Sequence, residues 1–214
     1  MLRTLLIAAA FLTSYSALFN ASCWAEKNVE LKPLIAKVAS PTLSETFDKK
    51  FGEPMQAKRG EWKTVDGVLI GKEIASEKHA GVLHFEKPNR NSVVRFSFKV
   101  DGTTKGFHFS LNRKGGHLFR VITTPTQLSI SVDKDKKDSE SKIVSIGKAK
   151  GSFQQGKWYT MQVEMIGDKV AVQTDNGVKV QGQHVKLDVD KPQYRFIVKG
   201  ETLSLDDLHI WEVK

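Results

Sequence analysis

A β-hairpin pattern within residues 156–177 constrains the fold more than any other part of the sequence. Apolar and polar side chains alternate over residues 159–165, which is the period-2 pattern of a strand with one dry face. Gly167 and Asp168 then predict a tight turn, because glycine adopts a positive φ at no steric cost. The alternation resumes over residues 170–174 before a second turn signal. The segment therefore predicts adjacent antiparallel strands.

The same alternation recurs along residues 94–132 and again from residue 194 to the end of the chain. Turn signals such as Asp66-Gly67 separate the strands, and after residue 25 no segment of about ten residues keeps a helical apolar period. We therefore predict an all-β fold, an antiparallel two-sheet jelly-roll sandwich that forms one domain over residues 44–214. The strand phase assigns the following residues to its core: Phe96, Phe98, Phe107, Phe109, Leu128, Ile130, Met161 and Val163.

The N-terminal residues 1–25 have the features of a secretory signal peptide. Arg3 supplies a positive charge, a short apolar run follows, and small residues precede a cut after Ala25. The expected location is periplasmic or extracellular, and residues 26–43 are expected to be a tether. Lipid attachment at Cys23 is the less favoured alternative, because Asn20 stands where a lipobox needs an aliphatic residue. No later segment is apolar enough to predict a transmembrane helix.

Cysteine content and charge limit the chemistry that the chain can carry. Cys23 is the single cysteine, so the mature chain is expected to contain no disulfide, thiol or zinc site of the cysteine type. The formal net charge is +9, but the basic residues are dispersed among acids, which is typical of a solvated surface. Lysines also interrupt the acidic run from Asp133 to Glu140, which disfavours a calcium loop. We expect no metal, no cofactor and no nucleic acid partner.

Three motifs together suggest a family. Residues 158–177 resemble a hairpin of concanavalin A-like jelly rolls, a group that includes laminin-G-like domains. Residues 62–69 (WKTVDGVL) are similar to an N-terminal motif of the secreted bacterial 3-keto-disaccharide hydrolase-like family, and residues 205–211 (LDDLHIW) resemble its last strand. The resemblance covers about residues 44–214 and implies a role related to sugars.

The sequence also departs from that family. Many members have a Gly-Asn-Ser-Gly segment before an aromatic strand, whereas residues 103–107 of this chain keep only its last glycine. An acidic residue usual in the next strand is also missing from residues 118–121 (LFRV). These departures favour binding of a sugar over its hydrolysis.

The polar phase of the strands supplies the candidate ligand-binding residues. His108 alternates with core phenylalanines, and its imidazole can hydrogen-bond to a sugar hydroxyl or act as a base. The alternative is a solvated outer face without a ligand. On one concave sheet the following side chains would form a polar floor: Arg95, His108, Ser110, Asn112, Arg120 and Gln162.

Trp158 and Glu164 complete the candidate set. A tryptophan can stack on a sugar ring, although Trp62 and Trp211 are expected to fill the core instead. Glu164 is the one acid placed in the middle of a strand on the polar phase, where a surface carboxylate paired with a neighbouring lysine is the expectation. No pair of carboxyl groups spaced for glycoside hydrolysis is evident.

The first hypothesis is therefore a secreted domain that binds a carbohydrate, a glycan or oligosaccharide, on its concave face. A glycoside hydrolase of the 3-keto-disaccharide type that uses His108 and Glu164 is the second. The third is a structural or adhesive surface protein whose basic face binds an anionic polymer.

Overall fold

The computed structural model describes residues 31–213, and the predicted signal peptide lies outside the described residues. Fifteen strands form two antiparallel sheets of eight and seven strands, which confirms the predicted two-sheet sandwich. We call them sheet A and sheet B.

Sheet A has the strand order β13-β12-β11-β6-β15-β4-β3, and β1 pairs with the C-terminal half of β15. The bounds of its strands are β1 (Leu43–Glu45), β3 (Glu61–Val65), β4 (Val68–Lys72), β6 (Ser92–Asp101), β11 (Tyr159–Ile166), β12 (Lys169–Thr174), β13 (Lys179–Gln183) and β15 (Thr202–Glu212).

Sheet B has the strand order β10-β9-β8-β7-β14-β5-β2. The bounds of its strands are β2 (Met55–Arg59), β5 (Gly81–Phe85), β7 (Gly106–Arg113), β8 (Gly116–Thr124), β9 (Gln127–Val132), β10 (Val144–Lys150) and β14 (Tyr194–Lys199). Two short 3₁₀ helices, Ala75–Glu77 and Val185–Leu187, lie in connecting loops of the described chain.

The turn residues act as the sequence predicts. Val65 pairs with Val68 around Asp66 and Gly67, and Ile166 pairs with Lys169 around Gly167 and Asp168. Gly167 has a φ of 56°, a backbone conformation that glycine adopts without steric cost. The long-range pairings β6–β11, β6–β15 and β7–β14 then assemble the hairpins into sheets.

The core lies between the two sheets and is rich in phenylalanine. Phe96 of sheet A meets Phe196 of sheet B edge to face, with 5.1 Å between the ring centroids, and Phe98 meets Phe107 at 4.6 Å. All the core residues assigned from strand phase have an exposure of 0%. The predicted phase is therefore confirmed, and the alternating residues of each strand face outward.

The segment of residues 31–42, which we call the N-terminal strap, lies across the outer face of sheet A. Gln173 Nε2 donates to the carbonyl oxygen of Lys32 at 2.6 Å, and Trp211 Nε1 donates to that of Ala39 at 3.0 Å. Part of the predicted tether is thus integral to the folded domain.

Candidate functional site on the outer face of sheet B

Strand register places a row of polar residues across the middle of the outer face of sheet B. Arg195 of β14 lies between His84 of β5 and Ser110 of β7, and Ser110 pairs in turn with Arg120 of β8. Ser131 of β9 continues the row. Each residue is next in sequence to core residues, so the alternation that fills the core also directs these side chains outward.

Arg195 is the centre of this row. It is only 8% exposed, and its Nη1 donates to Asn112 Oδ1 at 3.0 Å and to His117 Nδ1 at 2.8 Å. A guanidinium has no acceptor, so Nδ1 of His117 must be unprotonated and must accept this bond. Burial lowers the pKa of Arg195, and the nearby Arg120 lowers it further, but an arginine remains charged at neutral pH.

Arg120 is paired with a buried acid. Its Nε donates to Asp133 Oδ2 at 3.1 Å, and its Nη2 donates to Asp133 Oδ1. Two parallel bonds of this kind hold both side chains in one geometry. Both oxygens of the Asp133 carboxylate are therefore hydrogen-bonded to Arg120.

His108 lies in the neighbouring row, between Ile197 of β14 and Ile122 of β8. Burial, followed by the positive charges of Arg120 and Lys199, lowers the pKa of His108 from 6.5 to about 4. The imidazole is therefore neutral at pH 7, with one donor nitrogen and one acceptor nitrogen beside two apolar side chains.

The other two histidines of this face are shifted in the same direction. Burial lowers the pKa of His84 and of His117, and in both cases the charge of Arg195 lowers it further. The face thus combines neutral imidazoles with guanidinium groups.

A cavity of about 550 Å³ opens at one end of this row. Residues 112–116, which include the β7–β8 turn, form one part of its lining, and Pro88 and residues 190–193 form the rest. Asn112 also binds Arg195, and Gln193 Nε2 lies 3.5 Å from His84 Nδ1. The cavity and the polar row are therefore continuous.

The structure separates the predicted polar floor into two parts. His108, Ser110 and Asn112 lie on β7 and Arg120 lies on β8, all in sheet B. Arg95 lies on β6 and Gln162 on β11, both in sheet A. The expectation of one floor on one sheet is wrong, because alternation shows that a residue faces outward but not which sheet carries it.

Glu164 also departs from its expected environment. It has an exposure of 0%, and its carboxylate accepts the backbone N–H groups of Leu34, Ile35 and Ala36 in the N-terminal strap. Within residues 31–213 Glu164 forms no salt bridge with a lysine, contrary to expectation, and Gln162 Nε2 supplies a further donor. Because Glu164 and His108 lie on opposite outer faces, they cannot act on one bond.

The tryptophans fall into three environments. Trp62 is buried against Gly71 in the sandwich, as expected. Trp211 is buried too, but on the outer face of sheet A, where the guanidinium of Arg95 lies 5.1 Å from its ring centroid and the strap covers it. Trp158 is half-buried beside sheet A, with Lys99 Nζ 5.5 Å from its ring, and so does not join the face of sheet B.

The acidic run after β9 is engaged by arginines. Asp133 binds Arg120, and Asp135 Oδ2 accepts a bond from Arg113 Nη2 at 2.5 Å. Within residues 31–213 no cluster of three or more His, Cys, Asp or Glu side chains has the arrangement of a metal site.

Sequence reasoning missed Arg195, His117 and Asp133 as members of the face. Arg195 could have been identified from the sequence, since it is a charged residue between Tyr194 and Phe196 in an otherwise apolar strand. His117 lies between a turn and a β-bulge at Leu118 that changes the phase of β8, so alternation alone could not place it.

Comparison with known proteins identifies the family. Residues 45–205 match the family described as the 3-keto-alpha-glucoside-1,2-lyase-like domain. The chain belongs to this family. The match spans most of the described residues and confirms the resemblance inferred from the three sequence motifs.

Solved structures with the same fold share little sequence with this member of the family. Carbohydrate binding module CBM66 from Bacillus subtilis is 10% identical, with a TM-score of 0.58, over 74% of this chain and 95% of the module. SCLam, a non-specific endo-beta-1,3(4)-glucanase of family GH16, is 9% identical, with a TM-score of 0.59, over 86% and 95% of the two chains. The CBM2 module of the evolved Dit protein of Lactobacillus casei BL23 phage J-1 is 10% identical, with a TM-score of 0.59, over 84% and 98%.

These likenesses establish a concanavalin A-like sandwich, as predicted. A search of curated proteins found no match to the chain. Over residues 31–213, no helix has the length and apolar character needed to cross a membrane.

Proposed function

We propose that the outer face of sheet B binds a carbohydrate. The observation that carries this proposal is the cluster of Arg195, Asn112 and His117, whose hydrogen-bonding groups are held in fixed directions at the mouth of a cavity. Directed donors and acceptors suit sugar hydroxyls. The proposal is also supported by the family and by two structural neighbours, carbohydrate binding module CBM66 and the CBM2 module of the phage Dit protein.

The neighbouring row of residues, which contains His108, can contact the apolar C–H groups of a sugar ring. Ile122 and Ile197 flank His108 and offer apolar contact for ring C–H groups. The neutral imidazole of His108 can donate to one hydroxyl and accept from another. A site with a few directed polar groups next to apolar surface is the usual design of a small-molecule pocket.

The outer face of sheet A is less suited to the role. The strap covers it at Glu164, Gln173 and Trp211, so a ligand would first have to displace residues 31–42.

Binding to an array of oligosaccharides, followed by calorimetry on the ligands found, tests the proposal. His108→Ala should remove one or two bonds worth about 0.5–1.5 kcal/mol each, and so weaken binding by roughly 2- to 100-fold with little change in melting temperature. His79→Ala is the matched control, because His79 is exposed in the loop before β5. Absence of binding to any carbohydrate, or equal affinities of the two variants, would contradict the proposal.

A second function, elimination on a 3-keto sugar, has one specific observation in its favour. His108 of β7 and Arg120 of β8 lie on the same outer face of adjacent strands, so a neutral base and a cationic group lie near each other on this face. The family description names a 3-keto-alpha-glucoside-1,2-lyase. In such a reaction the base takes the C2 proton, the C1–C2 double bond forms, and the C1–O bond breaks with its electron pair going to the departing alcohol, which is then protonated.

The product of this elimination is a ketone conjugated with a double bond, so ultraviolet absorbance follows it directly. If His108 is the base, His108→Ala should slow the reaction by about 10²–10⁴-fold. Binding of the 3-keto substrate without an increase in absorbance would leave the binding function and exclude the lyase. A charge-driven adhesin, in contrast, should release its polymer in moderate salt.

A further inference from the structure

Arg195 is a buried cation whose direct contacts are with neutral groups. It donates to the neutral acceptors of Asn112 and His117, and within residues 31–213 it takes part in no salt bridge. Asp133 acts on it only without direct contact, and there it raises the pKa of Arg195. Buried charges in proteins are normally paired, because an isolated charge loses its hydration without compensation. The environment of Arg195 is therefore incomplete.

The carboxylate of Asp133 cannot neutralise the charge of Arg195. Asp133 holds Arg120 through both of its oxygens. Lys199 and Lys136 add positive potential, since they lower the pKa of His108 and of His117 respectively. Arg120, Arg195 and Asp133 together leave one uncompensated positive charge.

Two polar atoms at the same place have no hydrogen-bond partner. They are Nε of Arg195 and Oγ of Ser110, which belong to directly paired residues of β14 and β7. Both residues are more than nine-tenths buried. Native proteins leave few such atoms unsatisfied, so these two indicate that the polar surroundings of Arg195 are not complete within the described residues.

We propose that Arg195 receives an anionic substituent of the bound carbohydrate, so that the ligand of this face is an acidic sugar. This inference rests on the proposed carbohydrate-binding function. A carboxylate, sulfate or phosphate ester would supply the missing negative charge, and its oxygens would accept bonds from the guanidinium of Arg195. The neutral histidines would hold the hydroxyls of the same sugar.

The alternative is a purely structural Arg195 that fixes the β7–β8 bulge through Asn112 and His117. A structural role requires fold stability but gives no preference between neutral and acidic ligands. Affinity for matched ligands therefore separates the two roles.

The test measures the affinity of the full-length protein for a neutral oligosaccharide and for its uronate, sulfated and phosphorylated counterparts. A charge-assisted bond is worth about 1.5–3 kcal/mol, so at least one acidic ligand should bind roughly 10- to 100-fold more tightly than the neutral one. The ligand that shows this preference identifies the anionic group. Equal binding of all ligands overturns the inference but leaves the proposed function intact, whereas no binding of any ligand overturns both.

Variants then test whether Arg195 causes the preference for the acidic ligand. Arg195→Gln should abolish the difference in affinity between the acidic and the neutral ligand, whatever its effect on the neutral ligand alone, and Arg195→Lys should retain part of that difference. Arg59→Gln removes the same positive charge from an exposed residue and should leave the preference for the acidic ligand unchanged. If Arg59→Gln and Arg195→Gln reduce it equally, the overall positive charge of the protein explains it and the assignment is wrong. If Arg195→Gln does not fold, the ligand series on the unaltered protein and on Arg195→Lys still decides the proposal.

Discussion

Replacement of Glu164 by glutamine should release the N-terminal strap from sheet A. The carboxylate accepts backbone N–H groups of Leu34, Ile35 and Ala36 at 2.8, 2.8 and 2.9 Å. Glutamine has nearly the same shape, but it removes the charge and turns one acceptor oxygen into an NH₂ donor. At least one backbone N–H or the side chain of Gln162 then faces another donor.

The size of the effect follows from these contacts. A bond to a charged acceptor contributes about 1 kcal/mol more than a bond to a neutral one, so three such bonds predict a loss of about 3 kcal/mol in the free energy of strap opening. That loss corresponds to a roughly 100-fold increase in the open population.

Hydrogen–deuterium exchange measures that population directly, because the amides of residues 34–36 exchange only when the strap opens. Their protection should fall by about two orders of magnitude, while amides of the sheet B strands remain protected. Glu212→Gln is the matched control, since Glu212 is exposed and pairs with Lys87 at the surface. If the protection of residues 34–36 is the same in both variants, the bonds to Glu164 do not hold the strap.

The remaining predictions concern the core and the pH dependence. Phe109→Ala should cost roughly 3–5 kcal/mol in denaturant unfolding, because it empties a fully buried aromatic site, and a loss below about 1 kcal/mol would contradict the packing. Gly71→Ala should cost about 1–3 kcal/mol, because its Cβ would lie 2.3 Å from Trp62 Cζ3, whereas Gly52→Ala has no atom within 4 Å and should have little effect; equal losses would refute the argument. The pKa of His108 is lowered from 6.5 to about 4, so the unfolded chain binds this proton first and stability should fall as the pH drops through that window. His108→Gln should make the fall shallower, and an unchanged slope would show that His108 does not contribute.

Local pattern was sufficient to predict the strands, the turns and the core phase. Phe96, Phe98, Phe107 and Phe109 are all buried because side chains of a strand alternate between two faces whatever the strand pairs with. Local pattern does not predict which strand pairs with which. β6 precedes β7 in the chain, yet β6 lies in sheet A and β7 in sheet B, and only contacts between distant segments decide this.

The candidate site shows the same limit. Arg95 and His108 have equivalent polar-phase patterns, but they lie on opposite outer faces of the sandwich. Glu164 is buried by backbone groups about 130 residues away, and nothing in its own strand indicates them. Arg195 became the centre of the site because β14 pairs with β7, a pairing that no local motif encodes.

The course of the N-terminal strap also gives the domain an orientation. Lys32 is bound to Gln173 on the outer face of sheet A, so the described part of the chain begins on that side. The face that carries Arg195 and His108 belongs to the other sheet of the sandwich. The candidate site and the first described residues of the chain therefore lie on opposite sides of the sandwich.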